Sequence, residues 1–267
     1  MLMEIFSYPF MQRAAIAGIF LGLMLASLGV VASLRKMSFF SEGVAHASLA
    51  GIAIALLINV SPLPVAIIWA MIIALAIFKI ERSTNLNSDT AIGILFTASM
   101  ALGILIISLL PGYQPELMSF LFGSILTVKS IDLWIIIALS LLILIWFFPT
   151  LKKLTFLSLN EETAIVNGIN TKIITLIFYL SLAIATVLGV KILGIVLVSA
   201  LLIIPPATGR LLANSFKSYF VFSILAAEFS IFAGLLLSVQ YNLPSGAAIV
   251  LASALLFTFA MFKKIKF

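Results

Sequence analysis

SEGVAHASLAGIAIALLI, residues 41–58, carries one carboxylate, Glu42, and His46, the only histidine among 267 residues. Every other position is small or aliphatic. As an α-helix the run would be about 27 Å long, close to the ~30 Å hydrocarbon core of a bilayer. The stretch therefore reads as a membrane span holding two polar groups at depth. With 64% hydrophobic residues, 9% charged residues and a mean hydropathy of +1.32, the chain cannot clothe its surface in polar groups. A soluble domain carries roughly 25% charged residues. A soluble enzyme is excluded, and the expected fold is an all-α polytopic membrane protein.

Working outward, apolar runs between charge and proline punctuation give nine expected spans, centred on Leu23, Ala50, Met71, Met100, Leu139, Leu180, Val198, Ala227 and Leu255. Eight follow if one short run inserts only partly. Residues 111–130 contain an apolar piece too short to cross, which reads as a re-entrant or interfacial helix. Placing the first inter-span loop inside leaves only Arg13, Lys129 and Lys191, of 15 Lys and Arg, outside. The positive-inside rule then puts the N-terminus outside and the C-terminus in the cytoplasm. The net charge of +6 reports this orientation and no nucleic-acid partner, because the basic residues are not gathered into a patch. There is no cysteine, hence no disulfide or thiolate site, and no cleavable leader is read at the N-terminus. No G-x-x-x-x-G-K-[ST] loop occurs, so the chain is expected not to hydrolyse ATP itself.

Glu42 and His46, four residues apart, share one helix face, about 6 Å apart along the axis. His46 would sit roughly 12 Å into the membrane, where an ionisable group is costly unless it faces a cavity or a partner. Imidazole and carboxylate suit zinc, manganese or ferrous iron. The same residues also fit an interhelical hydrogen bond and a snorkelling carboxylate, and spacing alone leaves both readings open. Gly43, Ala47 and Gly51 make a small-residue ridge that admits a close neighbour.

Glu228 falls mid-span, as a third ligand, a proton carrier or a protonated structural hydrogen-bonder. Lys191 and Glu116 read as solvated external charges. Pro62 with Pro64, and Pro205 with Pro206, are expected to interrupt helices, the latter pair as a break in the pathway. Between two spans, Ser158 and Glu161 form an S-x-x-E capping box and Gly168 a helix stop. A short surface helix of about eight residues, suited to docking a partner protein, is expected there.

Together, MSFFSEGVAHASLAG (37–51), DTAIGILF (89–96), FLFGSIL (120–126), EETAIVNGI (161–169), VKILGIVLVSALLIIPPATGRLLA (190–213) and LPSGAAIVL (243–251) resemble the permease subunits of zinc, manganese and iron ABC importers, most of all the zinc-uptake permeases. The resemblance implies a single permease domain over residues 1–267, with a fold like that of the vitamin B12 importer, in a bacterial inner membrane. It implies a homodimer working with a separate ATP-binding subunit and an extracytoplasmic metal-binding protein, and a transported ion in place of a resident cofactor. On this analogy Glu42 and His46 line the ion path, and residues 158–168, with Glu161, Glu162, Ala164 and Gly168, form the coupling helix. The family pattern before the histidine reads Gly-Asp, where this chain has Ser41-Glu42, one methylene longer. The competing classes are a secondary transporter using Glu228 for a coupling proton, and an intramembrane enzyme, for which no catalytic constellation is present.

Overall fold

The computed structural model describes residues 8–84, 86–111, 123 and 128–265, and among these every regular element is helical. Ten helices follow in order: α1 Pro9–Leu34, α2 Phe40–Leu57, α3 Pro62–Ser83, α4 Ser88–Ser108, α5 Ser130–Leu159, α6 Glu161–Val166, α7 Thr171–Leu193, α8 Ile195–Leu212, α9 Phe216–Tyr241 and α10 Ser245–Ile265. All but α6 are long and apolar enough to span, giving nine candidate spans among the described residues. Each of the nine expected centres falls within one of them. The expected re-entrant piece lies almost wholly outside the described residues.

Local chemistry sets the boundaries. Pro62 occupies the first turn of α3, where its missing N–H has no intrahelical acceptor to lose. The proline pair 62/64 thus starts a helix and does not interrupt one, correcting the expected break. Asn59 and Asn242 adopt left-handed backbone after α2 and α9, and Gly194 alone separates α7 from α8.

Pro205 and Pro206 bring a second correction, because α8 runs unbroken through both. Their missing N–H groups leave the carbonyls of Leu201 and Leu202 without their usual helical donors. Leu202 O instead faces the backbone of α1 at Gly29, so closely that a Cβ there would collide with it. Both prolines are buried, and Pro206 packs on α1. They serve a packed seam between helices.

Burial is uneven, and sequence explains it. The most apolar windows of α1 and α2 are 78% and 72% buried, against 22% for α4 and 28% for α5. α1 is apolar all round and lies against α5, α7, α8 and α9, as an interior helix should. α2 is the least hydropathic span, and its small side chains pack on α3 and α4. α8, α9 and α10 pack mutually on the other flank.

Basic residues separate by end. Arg35 reaches Thr175 Oγ1 at 3.4 Å, linking the turn after α1 to α7, and Arg82 reaches Glu161 at 2.7 Å, linking the last turn of α3 to α6, at one end. At the other end, Arg13 meets Ser130 and Lys191 pairs with Asp132 at 2.5 Å. Lys191 is therefore a half-buried ion pair between α7 and α5, correcting its reading as a solvated charge; Glu116 lies outside the described residues.

Candidate functional site

The site is built from the first turns of α2 and α4. Glu42, in the opening turn of α2, is exposed and lines a groove of about 270 Å³ with Phe39, Gly43, Asp89, Ile92, Gly93 and Phe96. Asp89 occupies the equivalent first turn of α4. Two carboxylates at helix N-termini sit favourably against the helix dipoles. The groove is consequently apolar-walled with an acidic rim.

His46 lies one turn further along α2, half-buried, with its ring against Phe96 at 5.4 Å between centroids. Its Nδ1 is buried and has no hydrogen-bond partner among the described residues. A buried imidazole nitrogen normally finds a partner, so the interhelical hydrogen bond open at the sequence level is not made at this atom. The nitrogen is available to an incoming ligand.

Close packing holds this arrangement. A Cβ on Gly43 would come within 2.5 Å of Ile92 Cγ2 on α4, and one on Gly51 within 2.7 Å of Trp69 Cβ on α3. The small-residue ridge thus serves two neighbours. Ser99 Oγ on α4 donates to the Ala47 carbonyl at 2.8 Å and accepts from Trp69 Nε1 at 2.8 Å, pinning α2, α3 and α4 at one level.

Glu228 is elsewhere. It sits mid-α9 beside Gly22 of α1, with both carboxylate oxygens buried and unpartnered among the described residues. α9 packs on α1, α8 and α10, whereas α2 packs on α3, α4, α7 and α8. One chain does not bring Glu228 to the Glu42–His46 groove, and no three His, Cys, Asp or Glu gather into a ligand set among the described residues.

The short loop helix is α6, six residues long. Its cap corrects the expected one: Ser158 belongs to α5 and donates to the Leu154 carbonyl, while Asn160 Oδ1 accepts from Thr163 N. Glu161 and Glu162 fill the first turn, Ala164 is buried, and Gly168 leaves the helix at φ +73°. Ile165 and Val166 are exposed, 57% and 86%. The helix thus shows an exposed apolar pair one turn after two carboxylates.

A family profile described as the ABC 3 transport family matches residues 7–264. The chain belongs to this family. It is 35% identical over 259 residues to the manganese transport system membrane protein MntC of Halalkalibacterium halodurans, covering 97% of this chain and 89% of that protein. It is 34% identical over 256 residues to the high-affinity zinc uptake system membrane protein ZnuB of Haemophilus influenzae, covering 94% and 96%. Among solved structures it is similar to a chain of PsaBC from Streptococcus pneumoniae in complex with Fab, with a TM-score of 0.84 and 30% identity over 97% of this chain and 95% of that one.

In this ABC 3 family chain, sequence reading passed over two acids, Asp89 on the groove rim and Glu81 bonded to its neighbour Ser88. Asp89 was visible only within a motif, since a lone acid at a helix start reads as a dipole partner. Glu81 had no signal at all. It accepts from Tyr179 Oη at 2.5 Å and from Ser88 Oγ at 2.9 Å, tying α3 and α7 to the first residue of the helix that carries Asp89.

Proposed function

We propose that this chain is the membrane-spanning permease of an ATP-driven importer of a divalent transition-metal ion, most specifically Zn2+, with Glu42 and His46 on the ion path. The observation that carries the reading is the His46 Nδ1, buried and unpartnered one turn from a carboxylate that lines an open groove. A nitrogen donor beside oxygen donors suits zinc. Membership of a transport family and likeness to zinc and manganese permeases agree with it.

The proposed assembly is a homodimer. One chain offers a pair of donors where zinc takes four ligands, and two grooves facing across a two-fold axis supply them. The chain forms one permease domain, N-terminus outside and C-terminus cytoplasmic, in a bacterial inner membrane. An extracytoplasmic binding protein delivers the ion. ATP acts at a separate subunit that docks on α6 through Glu161, Glu162 and the exposed Ile165–Val166 pair, with Ala164 and Gly168 fixing the helix in place. Glu228 takes no part in the ligand set.

Manganese is the second reading, and Asp89 favours it, since an added carboxylate makes the groove richer in hard oxygen donors. Uptake of each radiolabelled ion into proteoliposomes containing the permease, its ATPase and its binding protein tests both. His46→Ala is expected to remove zinc uptake while leaving protein abundance unchanged. Undiminished uptake in that variant would sink the ligand assignment, and manganese uptake exceeding zinc would transfer the cargo.

A further inference from the structure

α3 turns one face outward along its length. Ile68, Ile72 and Leu75 are exposed at spacings of four and three, a single helical stripe. On a multi-span membrane protein this stripe meets acyl chains. The same spacing continues to Lys79 and Arg82, so an apolar face ends in two cations at the level where a bilayer turns polar.

There the surface is concave. A groove of about 390 Å³ opens between α3 and α7, with Leu75, Phe78 and Leu176 as apolar walls and Lys79, Arg82 and Ser83 at the rim. Ser83 Oγ is engaged with the Lys79 carbonyl and supplies no donor. Arg82 gives Nη2 to Glu161 and lies over the Phe78 ring at 5.2 Å, keeping its other N–H groups. Lys79 has no ion-pair partner among the described residues. Lys172, four residues before Leu176 on α7 and so on its face, is likewise unmatched.

We propose that this groove binds an anionic phospholipid of the surrounding bilayer. One acyl chain lies along Leu75, Phe78 and Leu176, and the headgroup phosphate accepts from Lys79 Nζ and the remaining Arg82 N–H groups. Charge selects the headgroup: a zwitterionic lipid would bring its own cation against Lys79, whereas an anionic one neutralises a positive excess left unmatched among the described residues. Continuity with the lipid-facing stripe selects a bilayer component over a soluble anion. The proposal holds whichever ion the chain transports.

Native mass spectrometry of the detergent-purified full chain with its ATPase tests it, using phosphatidylglycerol and phosphatidylcholine at equal concentration. The wild-type complex is expected to retain phosphatidylglycerol preferentially. Lys79→Ala should lower that retention about fivefold, the ratio equivalent to ~1 kcal/mol for one basic residue near an anionic surface. Lys264→Ala, at the end of α10, should change nothing, and thermal stability should match wild type in both variants. Equal retention of the two lipids, unchanged retention in Lys79→Ala, or displacement by excess inorganic phosphate would each overturn the proposal. So would disulfide crosslinking of two copies through Leu75→Cys, clean in a chain without cysteine, because it would make the groove an interface between copies.

Discussion

Two glycines in the same groove separate packing from exposure. A Cβ on Gly43 meets Ile92 Cγ2 at 2.5 Å, whereas one on Gly93 has nothing within 4 Å. Ile92 Cγ2 hangs on a β-branched carbon and retreats only by a change of χ1. Gly43→Ala must therefore push α4 from α2 or force Ile92 off its rotamer, at about 1–3 kcal/mol. Gly93→Ala, inside α4 with open space at its Cβ, should instead stabilise by about 0.4–1 kcal/mol. Thermal unfolding of the two variants in detergent, with metal-ion uptake beside it, checks this; equal behaviour would mean that the α2–α4 contact does not define the groove. At this scale the sequence was informative where chemistry was rare. A single histidine within one turn of a carboxylate announces itself, while Asp89 and Glu81 look like any interfacial acids until the fold sets them against Glu42 and Tyr179.

At the scale of elements, α6 shows what hydropathy and capping rules reach. Its existence and its stop at Gly168 were legible, because a glycine after a short polar-capped run is a specific signal. Its start was not. Ser158 could cap a new helix or bond back to the previous turn of an old one, and it does the latter, so that α5 continues to Leu159 and Asn160 becomes the cap. The nine spans were legible because length and hydropathy decide them. The supposed breaks at proline pairs misled because a proline marks a lost donor, and neither a first turn nor a tightly packed neighbour needs that donor. The link from α6 to the rest is Arg82–Glu161, side chains 27% and 44% exposed. A surface pair of this kind contributes about 0–1 kcal/mol to stability, so its value lies in position. It ties the proposed docking helix to α3, whose next residue inward, Glu81, holds Ser88 beside Asp89. Arg82→Ala is expected to leave folding intact and ATPase turnover running while metal-ion uptake per ATP falls several-fold. A proportional fall of both activities would show lost docking instead of lost transmission.

At the scale of the whole molecule, charge and contact agree. Arg35, Arg82 and α6 meet at one end, and Arg13, Lys191 and the start of α5 at the other, the separation expected when positive charge is retained on the cytoplasmic side. Charge alone argues direction; contact shows that the groups counted together lie together. The consequence is testable because the chain has no cysteine of its own. Ser61→Cys, in the exposed turn between α2 and α3, should react with a membrane-impermeant maleimide in intact spheroplasts. Asn87→Cys, exposed before α4, should react only after permeabilisation. Lys263→Cys, in the last turn of α10, must follow Asn87→Cys if nine spans are crossed, since an even count would return it to the side of Ser61. Labelling of all three from outside would remove the topology on which the docking role of α6 depends. The opposite pattern would invert the protein in the membrane and place α6 beyond the reach of any cytoplasmic ATPase.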